Sequence, residues 1–217
     1  MQGPNAKSRP PLRIAVLISG TGRSLDNMLK RIADGRLHCD VRLVISSTPE
    51  AKGLQFAEKA GIPRAVFQRH DFPSQDDYSR AVFDRVREAR VDLVALAGFL
   101  KRLTIPDDFA DRVVNIHPAL VPSFCGKGFY GHHVHEAALT YGVKLSGCTV
   151  HFVDNQYDHG PVILQMAVPV LDDDTADTLA DRVFAAECEA YPEALELIAE
   201  GRVRVEGRRV WIAPDGQ

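Results

Sequence analysis

The chain has 217 residues, 45% hydrophobic and 25% charged, a composition that supports one buried core in an ordinary globular domain. Against 29 acidic residues stand 26 basic ones, and a net charge of −3 argues against a general nucleic-acid or anionic-membrane binder. A phosphorylated small molecule is still allowed, because a helix N-terminus binds phosphate without net positive charge.

Met1 to Pro11 is polar and Pro-containing and is expected to be a flexible leader. Leu12 to Ile18 is a buried-strand run. It leads through Ser19-Gly20-Thr21-Gly22-Arg23-Ser24 into a helical pattern of Leu25, Met28, Leu29 and Ile32. Strand, glycine-rich turn and helix bring backbone N–H groups and the positive helix end to one point, which suits an anion. The turn is neither a dinucleotide fingerprint nor a Walker A loop, and a tight turn whose glycines only supply positive φ is the competing explanation. Val41 to Ser46 reads as a second strand, Gly53 to Ala60 as a helix, Arg64 to Phe67 as a short strand and Gln75 to Arg87 as a polar helix. Val91 to Ala97 is a strongly buried strand. This alternation predicts a mostly parallel, Rossmann-like open sheet with helices on both faces.

Gly98-Phe99-Leu100-Lys101-Arg102-Leu103 follows that strand, with apolar side chains able to wall a slot for a flat ring or simply to fill a strand–helix junction. After a short helix from Pro106, Arg112 to His117 reads as a strand closed by Pro118. Alternation puts Asn115 and His117 on one face, and Pro118 takes the chain out of the sheet at the strand's carboxyl end, where open α/β sheets bind ligands. Ala119 to Gly131 is a long Pro- and Gly-rich loop, followed by a helix bearing His132, His133 and His135. These histidines, with His151, His159 and Cys125, match no zinc spacing, and no metal is expected.

Gly147 to Val153 and Ile163 to Pro169 read as an antiparallel hairpin with an acidic tip, an extension of the parallel sheet. Asp158 in that tip is the carboxylate expected against His117, whereas Asp154 suits a turn bonded to its own backbone. A last long helix starts after Asp172-Asp173-Asp174-Thr175, is expected to kink or divide at Pro192, and ends by Gly201. Val203 to Val205 and Val210 to Ile212 form a terminal hairpin. The expected division is a leader over 1–11, one domain over 12–201, and a hairpin or tail over 202–217. Cys39, Cys125, Cys148 and Cys188 show no C-x-x-C spacing and no secretory signal, so they read as reduced thiols of a cytoplasmic protein; no apolar run approaches the roughly 18 residues of a membrane span.

Taken together, Ser19-Gly20-x-Gly22, Ala97-Gly98-Phe99, Asn115-Ile116-His117-Pro118, Gly147-x-Thr149-Val150-His151 and Asp158-x-Gly160-Pro161 resemble the phosphoribosylglycinamide formyltransferases of purine biosynthesis, in order and with similar spacing. The resemblance implies formyl transfer from the co-substrate 10-formyltetrahydrofolate to the amine of glycinamide ribonucleotide, without a metal, by a monomer or homodimer that binds no nucleic acid and no membrane. It implies Asn115, His117 and Asp158 as the catalytic trio. Leu100, Lys101, Arg102, Leu103, Asn115 and Val153 would meet the folate, and Gly22, Arg23, Ser24 and Glu187 the ribonucleotide. Gly22-Arg23-Ser24 stands where the family commonly reads Gly-Ser-Asn, and the Cys125 to His132 loop is longer than in the commonest members. Gln75 and Phe184 stand where a basic or other polar residue is frequent.

The trio makes chemical sense. Asn115 and protonated His117 both donate toward the oxygen that becomes negative as an amine attacks a formyl carbon, and Asp158 favours the charged imidazolium. Formyltetrahydrofolate deformylase shares the trio and gives the formyl group to water, but usually carries an N-terminal regulatory domain. Methionyl-tRNA formyltransferase normally has a C-terminal RNA-binding domain. A formyltransferase for another small amine and a non-catalytic binding module are also compatible with these residues.

Overall fold

The computed structural model describes residues 9–214, so most of the expected leader lies outside the described residues. Leu12–Ile18 forms β1, followed by α1 (Arg23–Ala33), β2 (Cys39–Ser46), α2 (Leu54–Lys59), β3 (Arg64–Val66) and α3 (Gln75–Glu88). Then come β4 (Leu93–Leu96), β5 (Val113–His117), α4 (His132–Tyr141), β6 (Leu145–Phe152), β7 (Val162–Pro169) and α5 (Ala176–Ala199). Strands β1 to β7 make one sheet in the order β3-β2-β1-β4-β5-β6-β7. Pairs among β1 to β5 are parallel, whereas β5–β6 and β6–β7 are antiparallel. β8 (Val203–Glu206) and β9 (Arg209–Ile212) form a separate hairpin.

Residue alternation divides the core between the two faces of this sheet. Ile14, Val16 and Ile18 of β1 join Leu25 and Met28 of α1 and Leu179, Val183 and Leu195 of α5. Ala15 and Leu17 turn the other way and join Tyr78, Val82, Phe83 and Val86 of α3. Both faces are thus covered, as the apolar strand runs demand. The chain builds outward from β1 to β3 and then returns to β4 on β1's other side. A crevice therefore opens at the carboxyl ends of β1 and β4, where the strand order reverses.

Two expectations about element boundaries are corrected. β4 spans Leu93–Leu96 rather than the whole of Val91 to Ala97; at its start the Asp92 carboxylate, rather than a strand carbonyl, receives the Arg13 backbone N–H at 3.0 Å. Pro192 does not divide the last helix: α5 runs unbroken through it for 24 residues. A proline inside a helix leaves the carbonyl four residues back without its donor. Here that is Cys188, and its oxygen accepts instead from the Asn27 side-chain amide of α1 at 2.9 Å. Beside it, the buried Tyr191 hydroxyl donates to the carbonyls of Leu96 and Val114, pinning α5 beneath β4 and β5. Among the described residues no helix is long and apolar enough to cross a membrane.

Candidate active site

At the crevice the loops after β1 and β4 are tied together: Ser19 N donates to Gly98 O at 3.1 Å, and Leu100 N donates to Ser19 Oγ at 2.8 Å. Gly22 caps α1 with φ +73° and no side-chain cap. A Cβ there would fall 2.4 Å from Gly53 Cα, so the loop needs glycine for close backbone approach as well as for conformation. Gly22, Arg23, Ser24 and Glu187 line one cleft at this loop. Leu100, Lys101, Arg102, Leu103, Asn115 and Val153 line a second. A third depression, bounded by Asn115, His117 and Asp158, shares Gly98 and Ile116 with the first and Phe99 and Leu100 with the second. The residues singled out in the sequence therefore surround one continuous site.

Around the trio, ring nitrogens are assigned by what their partners can accept. His117 is 4% exposed, and its Nε2 lies 2.8 Å from the Phe124 carbonyl, an acceptor only, so Nε2 carries a proton. Nδ1 is left facing Asp158, whose Oδ2 is 3.7 Å away, too far for a direct hydrogen bond. That oxygen accepts from Gly126 N at 2.8 Å. The long loop after β5 thus holds both the imidazole and the carboxylate through its backbone. Asp154, by contrast, accepts from Gln156 N at 2.8 Å, the local turn bond expected of it.

His151, which the sequence marks as part of a motif and among the histidines weighed for a metal, touches the site. It is 1% exposed, and its Nδ1 donates to the Phe152 carbonyl at 2.7 Å. Burial holds it below the usual imidazole range, so Nε2 keeps a lone pair that accepts from Asn115 Nδ2 at 3.2 Å. This fixes which way the Asn115 amide points and leaves its second N–H for the cavity. The alternation of Thr149, Val150 and His151 was the available signal, since Asn115 and His151 are direct cross-strand partners. Thr149 acts on the turn after β5: its hydroxyl donates to Ala119 O at 2.7 Å and accepts from Val121 N at 3.0 Å.

The walls of the second cleft are clasped across. Arg102 donates to the Asn155 carbonyl at 3.1 Å, and the Asn155 side chain accepts from Ile105 N at 2.8 Å. Gln75 donates to the Arg102 carbonyl and accepts from Arg69 Nε at 3.3 Å, so it links a guanidinium to this wall. The histidines weighed as metal ligands disperse: His132 faces Asp177, His133 faces Glu136 and His159 faces Asp154. His135 is buried, which pushes it down to about 4. Among the described residues no group of three or more His, Cys, Asp or Glu is placed to hold a metal.

Burial pushes the Glu187 carboxyl up to about 7, against the pull of Arg23. The unfolded chain ionises this group near the ordinary Glu value while the native state retains the proton, so rising pH favours unfolding between the two. Relative to Glu187→Gln, the wild type is therefore expected to lose stability from about pH 4.5 to about 7 and to level off above it. Urea unfolding of both proteins across that range checks this; parallel pH profiles would refute it.

A doubly wound sheet whose switch-point crevice brings an amide, an imidazole and a carboxylate between an anion-suited loop and a half-apolar cleft is that of an α/β enzyme for small molecules. Residues 12–195 match the formyl transferase family, and the chain belongs to it. It is 45% identical over 193 residues to the trifunctional purine biosynthetic protein adenosine-3 of Drosophila melanogaster, covering 87% of this chain; the chain spans 14% of that relative's length. It is 34% identical to the phosphoribosylglycinamide formyltransferase of Haemophilus influenzae, covering 92% of this chain and 93% of the relative. The crystal structure of glycinamide ribonucleotide transformylase 1 from Symbiobacterium toebii superposes with a TM-score of 0.90 at 41% identity, covering 99% and 100% of the two chains.

Proposed function

We propose that the protein transfers the formyl group of 10-formyltetrahydrofolate to the amine of glycinamide ribonucleotide, a step of purine biosynthesis. The observation that carries this reading is the convergence of Asn115, His117 and Asp158 at the junction of two clefts. One cleft offers an apolar wall for a pterin and the other a helix N-terminus for a phosphate. The relatives' names support the same acceptor and the same transferred group.

The acceptor amine attacks the formyl carbon, and a C–N bond forms as negative charge gathers on the formyl oxygen. The free N–H of Asn115 and a proton on His117 Nδ1 both donate to that oxygen. Because Nδ1 and Asp158 stand 3.7 Å apart, the proton is not committed to the carboxylate, whose charge nevertheless favours the imidazolium. Each such donor in a dry site contributes about 2.7–4 kcal/mol. The amine's proton then passes, through His117 or a water beside Asp158, to the folate nitrogen, and the original C–N bond breaks. No covalent enzyme intermediate is required. We assign the reaction to the cytoplasm, in keeping with four free cysteines, two of them buried.

A spectrophotometric assay with 10-formyltetrahydrofolate, run with and without glycinamide ribonucleotide, tests the reading. Formylated product and folate release that both depend on the amine are expected. Folate release without amine would identify a hydrolase instead, and no reaction in either mixture would overturn the assignment.

A further inference from the structure

One contact in the acceptor-side cleft has no part in the chemistry above. Arg23, the first residue of α1, lies over the ring of Phe184 on α5, with its guanidinium carbon 3.7 Å from the ring centroid. Asp181, one helical turn before Phe184, approaches the same guanidinium at 3.5 Å, and both charged side chains are more than half exposed. Arg23 and Phe184 border the same cleft as Gly22, Ser24 and Glu187. The negative face of an aromatic ring attracts a cation and offers nothing to an anion, so Phe184 is suited to serve the arginine rather than the ligand. A long cationic side chain loses rotamer freedom whenever it engages a ligand; one already resting on a ring has less to lose. The Asp181 contact is solvent-exposed and long, so a phosphate dianion displaces it readily.

We propose that Phe184 is a positioning residue that holds Arg23 beside the N-terminus of α1 as the cation for a phosphate monoester, and that this pair sets the preference for phosphorylated over unphosphorylated acceptors. The inference rests on the reading that this cleft takes the acceptor's phosphate. Phe184 acts only through Arg23, which gives it a signature distinct from a structural role: its removal has no effect once Arg23 is gone.

The test is calorimetric binding of ribose 5-phosphate to the wild type, Arg23→Ala, Phe184→Leu, Phe184→Trp and the Arg23→Ala/Phe184→Leu double variant. Arg23→Ala is expected to weaken binding about ten-fold, and Phe184→Leu about three- to five-fold. Phe184→Trp retains wild-type affinity, and the double variant binds no worse than Arg23→Ala alone. Unchanged affinity in Phe184→Leu, a Leu effect that multiplies with that of Arg23→Ala, or no binding to the wild type would each overturn the proposal. Turnover of glycinamide ribonucleotide, measured alongside, separates this from the functional reading. If the binding pattern holds but no formylation occurs, the catalytic assignment falls and the Arg23–Phe184 pair stands.

Discussion

His117→Asn is expected to lower kcat by about 10³ while changing the KM of either substrate only a few-fold. The ring is nearly inaccessible at 4% exposure and makes one firm hydrogen bond, to the Phe124 carbonyl, so ground-state binding owes it little. Its second nitrogen faces Asp158 at 3.7 Å and, among the described residues, has no partner within hydrogen-bonding distance. A group held by one nitrogen and unengaged at the other is arranged to act when charge develops. Steady-state kinetics with both substrates varied decides the matter: a kcat within three-fold of wild type would remove His117 from the mechanism, and a large KM change at constant kcat would make it a binding residue.

Gly160→Ala is expected to damage stability and rate together. A Cβ at Gly160 would lie 1.9 Å from the Phe152 carbonyl oxygen and 2.7 Å from its carbon. These are backbone atoms of β6 and cannot rotate away, so the neck of the β6–β7 hairpin must open. That neck is closed by the Phe152 N to Pro161 O bond at 2.9 Å, and Asp158 sits just inside it at φ +48°. Overpacking against fixed backbone costs about 3 kcal/mol. Displacing Asp158 from His117 and Gly126 is expected to lower kcat by about 10². Urea unfolding and kcat on the same preparation check both parts; a midpoint and rate matching the wild type would show that the hairpin tip yields freely.

The architecture is legible in the sequence because it rests on local chemistry. The apolar runs of β1 and β5, the glycine turn before α1, and the alternation that sets Asn115 beside His117 each depend on residues within a few positions. The orientation of the site depends on pairings that no local pattern encodes. His151 steers Asn115 only because β5 and β6 pair in one register. The groups on His117 and Asp158 that come from the long loop are the Phe124 carbonyl and the Gly126 N–H, main-chain groups that no side-chain pattern announces. Pro192 misled for a related reason. The rule that proline breaks helices assumes that nothing else satisfies the vacated carbonyl, and Asn27, far away in the chain, does so.

That substitution of donors also governs how α1 and α5 are aligned. α1 begins at the anion-suited loop, and α5 carries Phe184 and Glu187, so the cleft proposed for the acceptor is a gap between two separate helices. Apolar packing alone would let such helices slide by small amounts at little cost. Alongside the Arg23–Asp181 and Arg31–Glu189 pairs, the oriented hydrogen bond from Asn27 to the carbonyl that Pro192 leaves open acts as a registration pin, because any slide along either axis strands a partly buried acceptor. A missing backbone bond in one helix thereby becomes a fixed distance between the two walls of that cleft.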